Sequence, residues 1–169
     1  MFIRLSSKVT KDSIVDGPGF RAVIWTQGCK HNCKGCHNKG THSFDGGFLQ
    51  DIEEVKEELR GLRLHKGITF SGGEPFEQPY ECIEIAKEAK RLGLDIWAYT
   101  GYVYEELINE QGERYKEGWK EFLGYIDVLV DGPFMLEKKN LQLKFKGSEN
   151  QRILQLNTMR RCRGEMFHI

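Results

Sequence analysis

Four short β-rich runs punctuate the chain: RAVIWTQ at 21–27, GITFS at 67–71, LDIWAY at 94–99 and IDVLV at 126–130. Helix-patterned segments separate the later ones. Runs of this length alternating with helices satisfy their backbone groups in a sheet linked by right-handed crossovers, so the expected class is α/β with a mostly parallel sheet. At 51–62, Ile52, Val55, Leu59 and Leu62 fall on one helical face, with Asp51 placed as a cap. Pro79 suits the first turn of a helix in which Cys82, Ile85, Ala86, Ala89 and Leu92 recur at helical spacing. Further helical segments are expected from about Tyr104 and up to Gly124, and RILQL at 152–156 reads as a last strand or a terminal extension. A complete eight-unit barrel takes about 250 residues. The 169 residues here predict one domain, spanning 1–169, that forms only part of such a barrel and stays open.

Lysine plus arginine balance aspartate plus glutamate at 25 each. No bulk field selects nucleic acid or an anionic membrane, and neither is an expected partner. MFIRLSSKVTKDS lacks the apolar core of a signal peptide, and no later apolar run approaches a bilayer's thickness. The expected location is cytoplasmic. No repeat, low-complexity tract or linker interrupts the chain.

Five cysteines, an odd number, fit a reduced compartment better than a disulfide framework. Cys82 reads as a small core residue. Cys162, in MRRCRG, sits among arginines that lower a thiol pKa, and reads as an incidental tail residue. Cys29, Cys33 and Cys36 are different: they crowd into TQGCKHNCKGCHN at 26–38. With His31 or His37 they make a four-ligand zinc set. Equally, three thiolates on a four-iron cubane leave one iron without a protein ligand, and an open iron is a place for chemistry. The spacing alone leaves both readings standing. In parallel sheets ligands bind at the carboxyl ends of strands. The cysteine loop, the Gly-Gly-Glu-Pro turn at 72–75, Thr100 and Asp131 each follow an expected strand, which puts them at one rim.

Read together, the cysteine loop and SGGEP at 71–75 strongly resemble the radical S-adenosylmethionine (SAM) enzymes, and DGPGFRAVIWTQGCKHNCKGCHN narrows the likeness to activating enzymes of glycyl-radical enzymes. IWAYTGY, IDVLVDGPF and FKGSENQRIL are similar to the branch acting on the anaerobic (class III) ribonucleoside-triphosphate reductase. The likeness runs from about Asp16 to Leu154. It implies a radical SAM-type partial barrel and one 4Fe-4S cluster held by Cys29, Cys33 and Cys36, with SAM on the fourth iron. It also implies an external electron donor such as flavodoxin or ferredoxin, and a 5′-deoxyadenosyl radical that takes a hydrogen atom from a glycine of the reductase. With only Cys82 and Cys162 left over, a second cluster is not expected.

The same resemblance implies roles for single residues. Gly35, His37 and Asn38, then Gly72, Gly73 and Glu74, then Thr100 and Asp131, fall at positions that face SAM. Asp16 and Arg21 fall near the partner's substrate loop. Local alternatives exist for several: His37 as a zinc ligand, Asn38 as a turn cap, the Gly-Gly-Glu-Pro segment as an ordinary strand-to-helix turn, and 16–19 as a plain tight turn. Tyr99 stands where the pyruvate formate-lyase activator carries an aspartate, which argues against a monovalent cation site. Ser148, Asn150, Gln151 and Arg152 match a family signature for which the sequence offers no physical reason beyond closing the sheet. The rival readings are a radical SAM enzyme with another acceptor, either another glycyl-radical enzyme or a small molecule, and a non-catalytic zinc-binding module.

Overall fold

A computed structural model describes residues 1–157, so Cys162 and the basic tail lie outside the described residues. The strands are β1 (Phe2–Leu5), β2 (Thr10–Ser13), β3 (Arg21–Thr26), β4 (Phe48–Asp51), β5 (Gly67–Gly72), β6 (Asp95–Tyr99), β7 (Val128–Asp131) and β8 (Arg152–Gln155). The helices are α1 (Ile52–Arg60), α2 (Pro79–Arg91), α3 (Tyr104–Ile108) and α4 (Trp119–Tyr125). All strands join one sheet in the order β4-β1-β3-β5-β6-β7-β8, with β2 also on β3, and the sheet does not close.

The four expected strands, β3, β5, β6 and β7, form the parallel centre. Antiparallel strands flank it on both sides, which the alternation of strands and helices did not predict. β1 and β2 share one edge of β3, β1 beside Thr26 and β2 beside Val23 and Arg21, and β4 pairs with β1. RILQL proves to be a strand, but it runs against β7 from Val128 to Asp131.

Helices cover one face of the sheet. Ala22 and Ile24, Ile68 and Phe70, Ile96 and Ala98, and Leu129 point to that side. Ile52, Val55 and Leu59 of α1, Cys82, Ile85, Ala86 and Ala89 of α2, and Trp119 and Phe122 of α4 pack on them. Asp51 caps α1 as its position predicts, accepting the Glu53 N–H at 3.0 Å. The helix stops at Arg60, two residues short of expectation, because Gly61 follows. Pro79 opens α2. On the other face, among the described residues, Trp97, Val128 and Val130 form a small buried cluster, with Tyr99 and Phe145 against it. That face is left for a ligand. Among the described residues no helix is long and apolar enough to cross a membrane.

One ion cluster locks α1 to α2. Glu88, on α2, accepts from Arg91 Nη2 at 2.5 Å and from Arg60 Nε at 2.8 Å, and these guanidinium groups, Arg91 foremost, push its carboxyl down to about 2. A folded pKa below the unfolded value stabilises above the unfolded pKa, and that contribution is lost as pH falls through the folded one. Urea unfolding is therefore expected to show wild-type stability falling more steeply than that of Glu88→Gln between the ordinary carboxyl value of 4.5 and about 2. Equal slopes for the two proteins would remove Glu88 from the account.

Candidate functional site

β3 delivers the chain into the cysteine loop, and the base of that loop is pinched shut. Gly28 N–H donates to Thr41 O at 2.8 Å and Cys29 N–H to His42 O at 3.1 Å. The buried Gln27 amide ties the outgoing arm as well, donating to the carbonyls of Gly40 at 3.1 Å and Ser43 at 2.6 Å. Within the loop, Cys36 N–H reaches Cys33 O at 3.1 Å, and Asn38 N–H points at Cys36 Sγ at 3.4 Å.

All three thiols are free and half-buried. Burial pushes Cys29 up to about 11 and raises Cys33 as well. Left to themselves Cys29 and Cys33 keep their protons, so a bound cationic centre has to displace them. Among the described residues no three histidine, cysteine or carboxylate side chains form a ready cage for a single ion. The thiols are instead spread around a cavity of about 810 Å³. Three soft donors facing a space of that size fit a group with several metal atoms, open on the cavity side.

The Gly-Gly-Glu turn is stapled to this loop. Gly73 N–H donates to Thr26 O at 2.7 Å and Glu74 N–H to Gly28 O at 2.8 Å. A Cβ on Gly72 would stand 2.5 Å from Thr26 O, and one on Gly73 the same distance from Gly28 O. The family resemblance has these glycines facing SAM. Both line the cavity, but their missing Cβ atoms make room for the neighbouring backbone.

Glu74 is wholly buried and fully engaged. Oε1 accepts from Phe76 N at 3.1 Å and Thr100 Oγ1 at 2.9 Å, and Oε2 accepts from Gly101 N at 2.9 Å and His31 Nε2 at 2.8 Å. The sequence pointed to His31 only as a possible zinc ligand. Nothing in its spacing from Glu74 betrays the contact.

His37, Asn38, Thr100 and Asp16 line the same cavity as the three cysteines, Gly72, Gly73 and Glu74. The Asn38 side chain makes no cap to the turn that follows it. Tyr99 also lines the cavity, as a phenol held above its ordinary pKa first by burial and then by Asp16. Gly35, Arg21 and Asp131 do not line it. Gly35 adopts φ +77°, where a Cβ would meet Leu136 at 2.8 Å.

Arg21 is buried and presents no docking surface. Its guanidinium donates to Thr69 Oγ1 at 2.8 Å, Ile68 O at 2.7 Å and Asp95 Oδ1 at 2.5 Å, beneath the 16–19 turn. It steadies that turn through Pro18 O at 3.3 Å, while Thr69 donates to Asp16 O at 2.7 Å. Asp131 is likewise buried, bridged by Arg152 Nε at 2.9 Å and Nη2 at 2.5 Å and by Tyr104 N at 2.7 Å. It ties β7, β8 and α3 together behind the rim.

The C-terminal signature now has a physical reason. Gln151 donates to Gly132 O at 3.0 Å and accepts from Gly147 N at 2.8 Å and Ser148 N at 3.2 Å. Asn150 donates to Pro133 O at 2.8 Å, and Ser148 Oγ accepts from Met135 N at 3.2 Å. Together they stitch 147–151 to 132–135. Gly132, Phe134, Gly147 and Gln151 then line the same cavity as the cysteines.

An open α/β sheet with three free thiols at its rim corresponds to a known class. Residues 15–154 match the family model described as a 4Fe-4S single cluster domain. Within that class the chain belongs to the family of anaerobic ribonucleoside-triphosphate reductase-activating proteins. It is 36% identical over 147 residues to the member from Vibrio cholerae serotype O1, covering 82% of this chain and 89% of that one. It is 34% identical to the Haemophilus influenzae member over 146 residues, covering 82% and 89%. The member from Enterobacteria phage T4 is 35% identical over 148 residues, covering 82% and 86%.

Proposed function

We propose that this chain activates an anaerobic ribonucleoside-triphosphate reductase in the cytoplasm, generating a glycyl radical on it with SAM and a single 4Fe-4S cluster. The observation that carries the reading is the gathering of Cys29, Cys33, Cys36 and the Gly-Gly-Glu turn around one cavity, in a chain whose relatives bear that activator's name. Cys29, Cys33 and Cys36 are the cluster's ligands. Held by these thiols, the cluster with SAM would supply reductive sulfonium cleavage, releasing methionine and providing hydrogen-abstracting power, with the electron from a flavodoxin- or ferredoxin-like donor.

The chain's own residues bind, orient and exclude water. The Asn38 N–H is directed at Cys36 Sγ and orients that side chain within the loop. Glu74 lines the cavity as the carboxylate that receives an ammonium in exchange for one of its present partners, and His37, Asn38 and Thr100 border the space for the rest of SAM. Ile14, Val15, Phe134 and Phe145 make much of the remaining lining apolar, which limits water around a reactive centre. Asp16 marks the mouth, held by Ser13 Oγ at 2.5 Å. Glycine suits the target role because an α-carbon radical between amide nitrogen and carbonyl is delocalised and no side chain hinders its planarity.

The test is an anaerobic electron paramagnetic resonance spectrum of the reconstituted, reduced protein with SAM and the reductase. A glycyl doublet that vanishes without SAM is the expected result. 5′-Deoxyadenosine without the doublet would mean a different acceptor. Neither product from an intact cluster with a competent donor would overturn the catalytic reading.

A further inference from the structure

Glu74 has no oxygen to spare. A carboxylate offers about four lone-pair positions, and Phe76 N, Thr100 Oγ1, Gly101 N and His31 Nε2 account for four. An arriving ammonium must displace one of them. Two are backbone amides held by the turns they belong to. Thr100 is 5% exposed and its hydroxyl also accepts the Tyr102 N–H at 3.1 Å. His31 reaches Glu74 from the cysteine loop by its side chain, which retains 14% exposure.

The pose of His31 is specific. Its ring meets Tyr102 edge-on at 4.4 Å, and it passes so close to Gly101 that a Cβ there would come within 2.4 Å of it. The ring also has somewhere to go. It forms part of the wall between the thiol-lined cavity and a second cleft of about 580 Å³ bordered by Lys30, Arg114 and Lys116.

We infer that His31 is a positioning residue that holds the place of the cofactor's ammonium on Glu74 and swings away when that ammonium is seated. The inference rests on the SAM reading above. His31 lies two residues from Cys29 and two from Cys33, so its release moves the segment that carries the thiols. Seating the cofactor and setting the cysteine loop are then one event. The held state lowers apparent affinity in proportion to the fraction of molecules with Glu74 free.

The test is anaerobic calorimetry on the reconstituted wild type, His31→Ala and His31→Gln, with SAM and with 5′-methylthioadenosine, which lacks the ammonium. Loss of one charge-assisted hydrogen bond that competes with the ligand predicts SAM binding about tenfold tighter in His31→Ala. 5′-Methylthioadenosine should bind all three proteins alike, and His31→Gln, whose amide still donates to Glu74, should return SAM affinity toward wild type. A residue that merely braces the loop would move both ligands together. Weaker or unchanged SAM binding in His31→Ala, an equal change for both ligands, or loss of both would overturn the inference. A wild type that binds no SAM overturns the functional reading and this inference with it.

Discussion

Alanine at Cys29, Cys33 or Cys36 is expected to abolish stable cluster binding, while Cys82→Ala leaves cluster content unchanged. The three loop thiols are half-buried around the cavity, and burial holds at least Cys29 and Cys33 protonated when nothing is bound. Removing one leaves two thiolates to carry a cluster that already has an iron free of protein, and no other cysteine among the described residues is near enough to substitute. Cys82 is wholly buried in α2, with its Sγ 3.6 Å from Pro75 O, and burial raises its pKa well above the usual thiol value. Its replacement removes one sulfur from a packed core, costing about 1 kcal/mol. Iron and sulfide per chain, with visible absorbance, separate the two groups. A full complement of iron in any of the three loop variants would sink the ligand assignment.

Arg152→Ala is expected to destabilise the fold by about 2 kcal/mol, although it touches nothing in the cavity. Its guanidinium neutralises the buried Asp131 carboxylate and reaches Glu105 Oε2 at 2.7 Å, so one side chain joins β8, β7 and α3. The Arg152 side chain is 43% exposed, which keeps the loss below that of a fully buried pair. Truncating it strips the buried carboxylate of its guanidinium and leaves the Tyr104 N–H on Oδ2. Removing both charges in Arg152→Met with Asp131→Asn should cost less than the single change, because no charge is then left behind. Urea unfolding of the variants checks this, and a loss in Arg152→Ala no greater than in the double variant would refute the pairing.

The parallel centre was legible because its strands carry short runs rich in β-branched and aromatic residues, as in GITFS and IDVLV, and because Asp51 and Pro79 announce helix starts. β2 was not: TKDS is polar, three of its four residues are exposed, and its strand geometry comes from lying beside β3. β1 and β4 are four residues each, too short to show a period.

In the site, motif spacing located the cysteines, the Gly-Gly-Glu turn and Thr100, all of which follow central strands. Arg21 and Asp131 do not line the cavity with them. Both are charged residues at strand ends, and sequence does not reveal whether such a residue turns into the rim or into a buried ion pair beneath it. The contact between His31 and Glu74 depends on two loops meeting in space and leaves no trace in either alone.

The backbone bonds from Gly73 and Glu74 to Thr26 and Gly28 make two distant stretches of chain a single heritable part. A graft that imports a relative's cysteine loop without its matching turn brings together backbones shaped for other neighbours. Losses from changes in the two stretches will not sum, since whichever change comes first already disturbs the seam that the second would have broken. A working graft therefore has to carry both stretches.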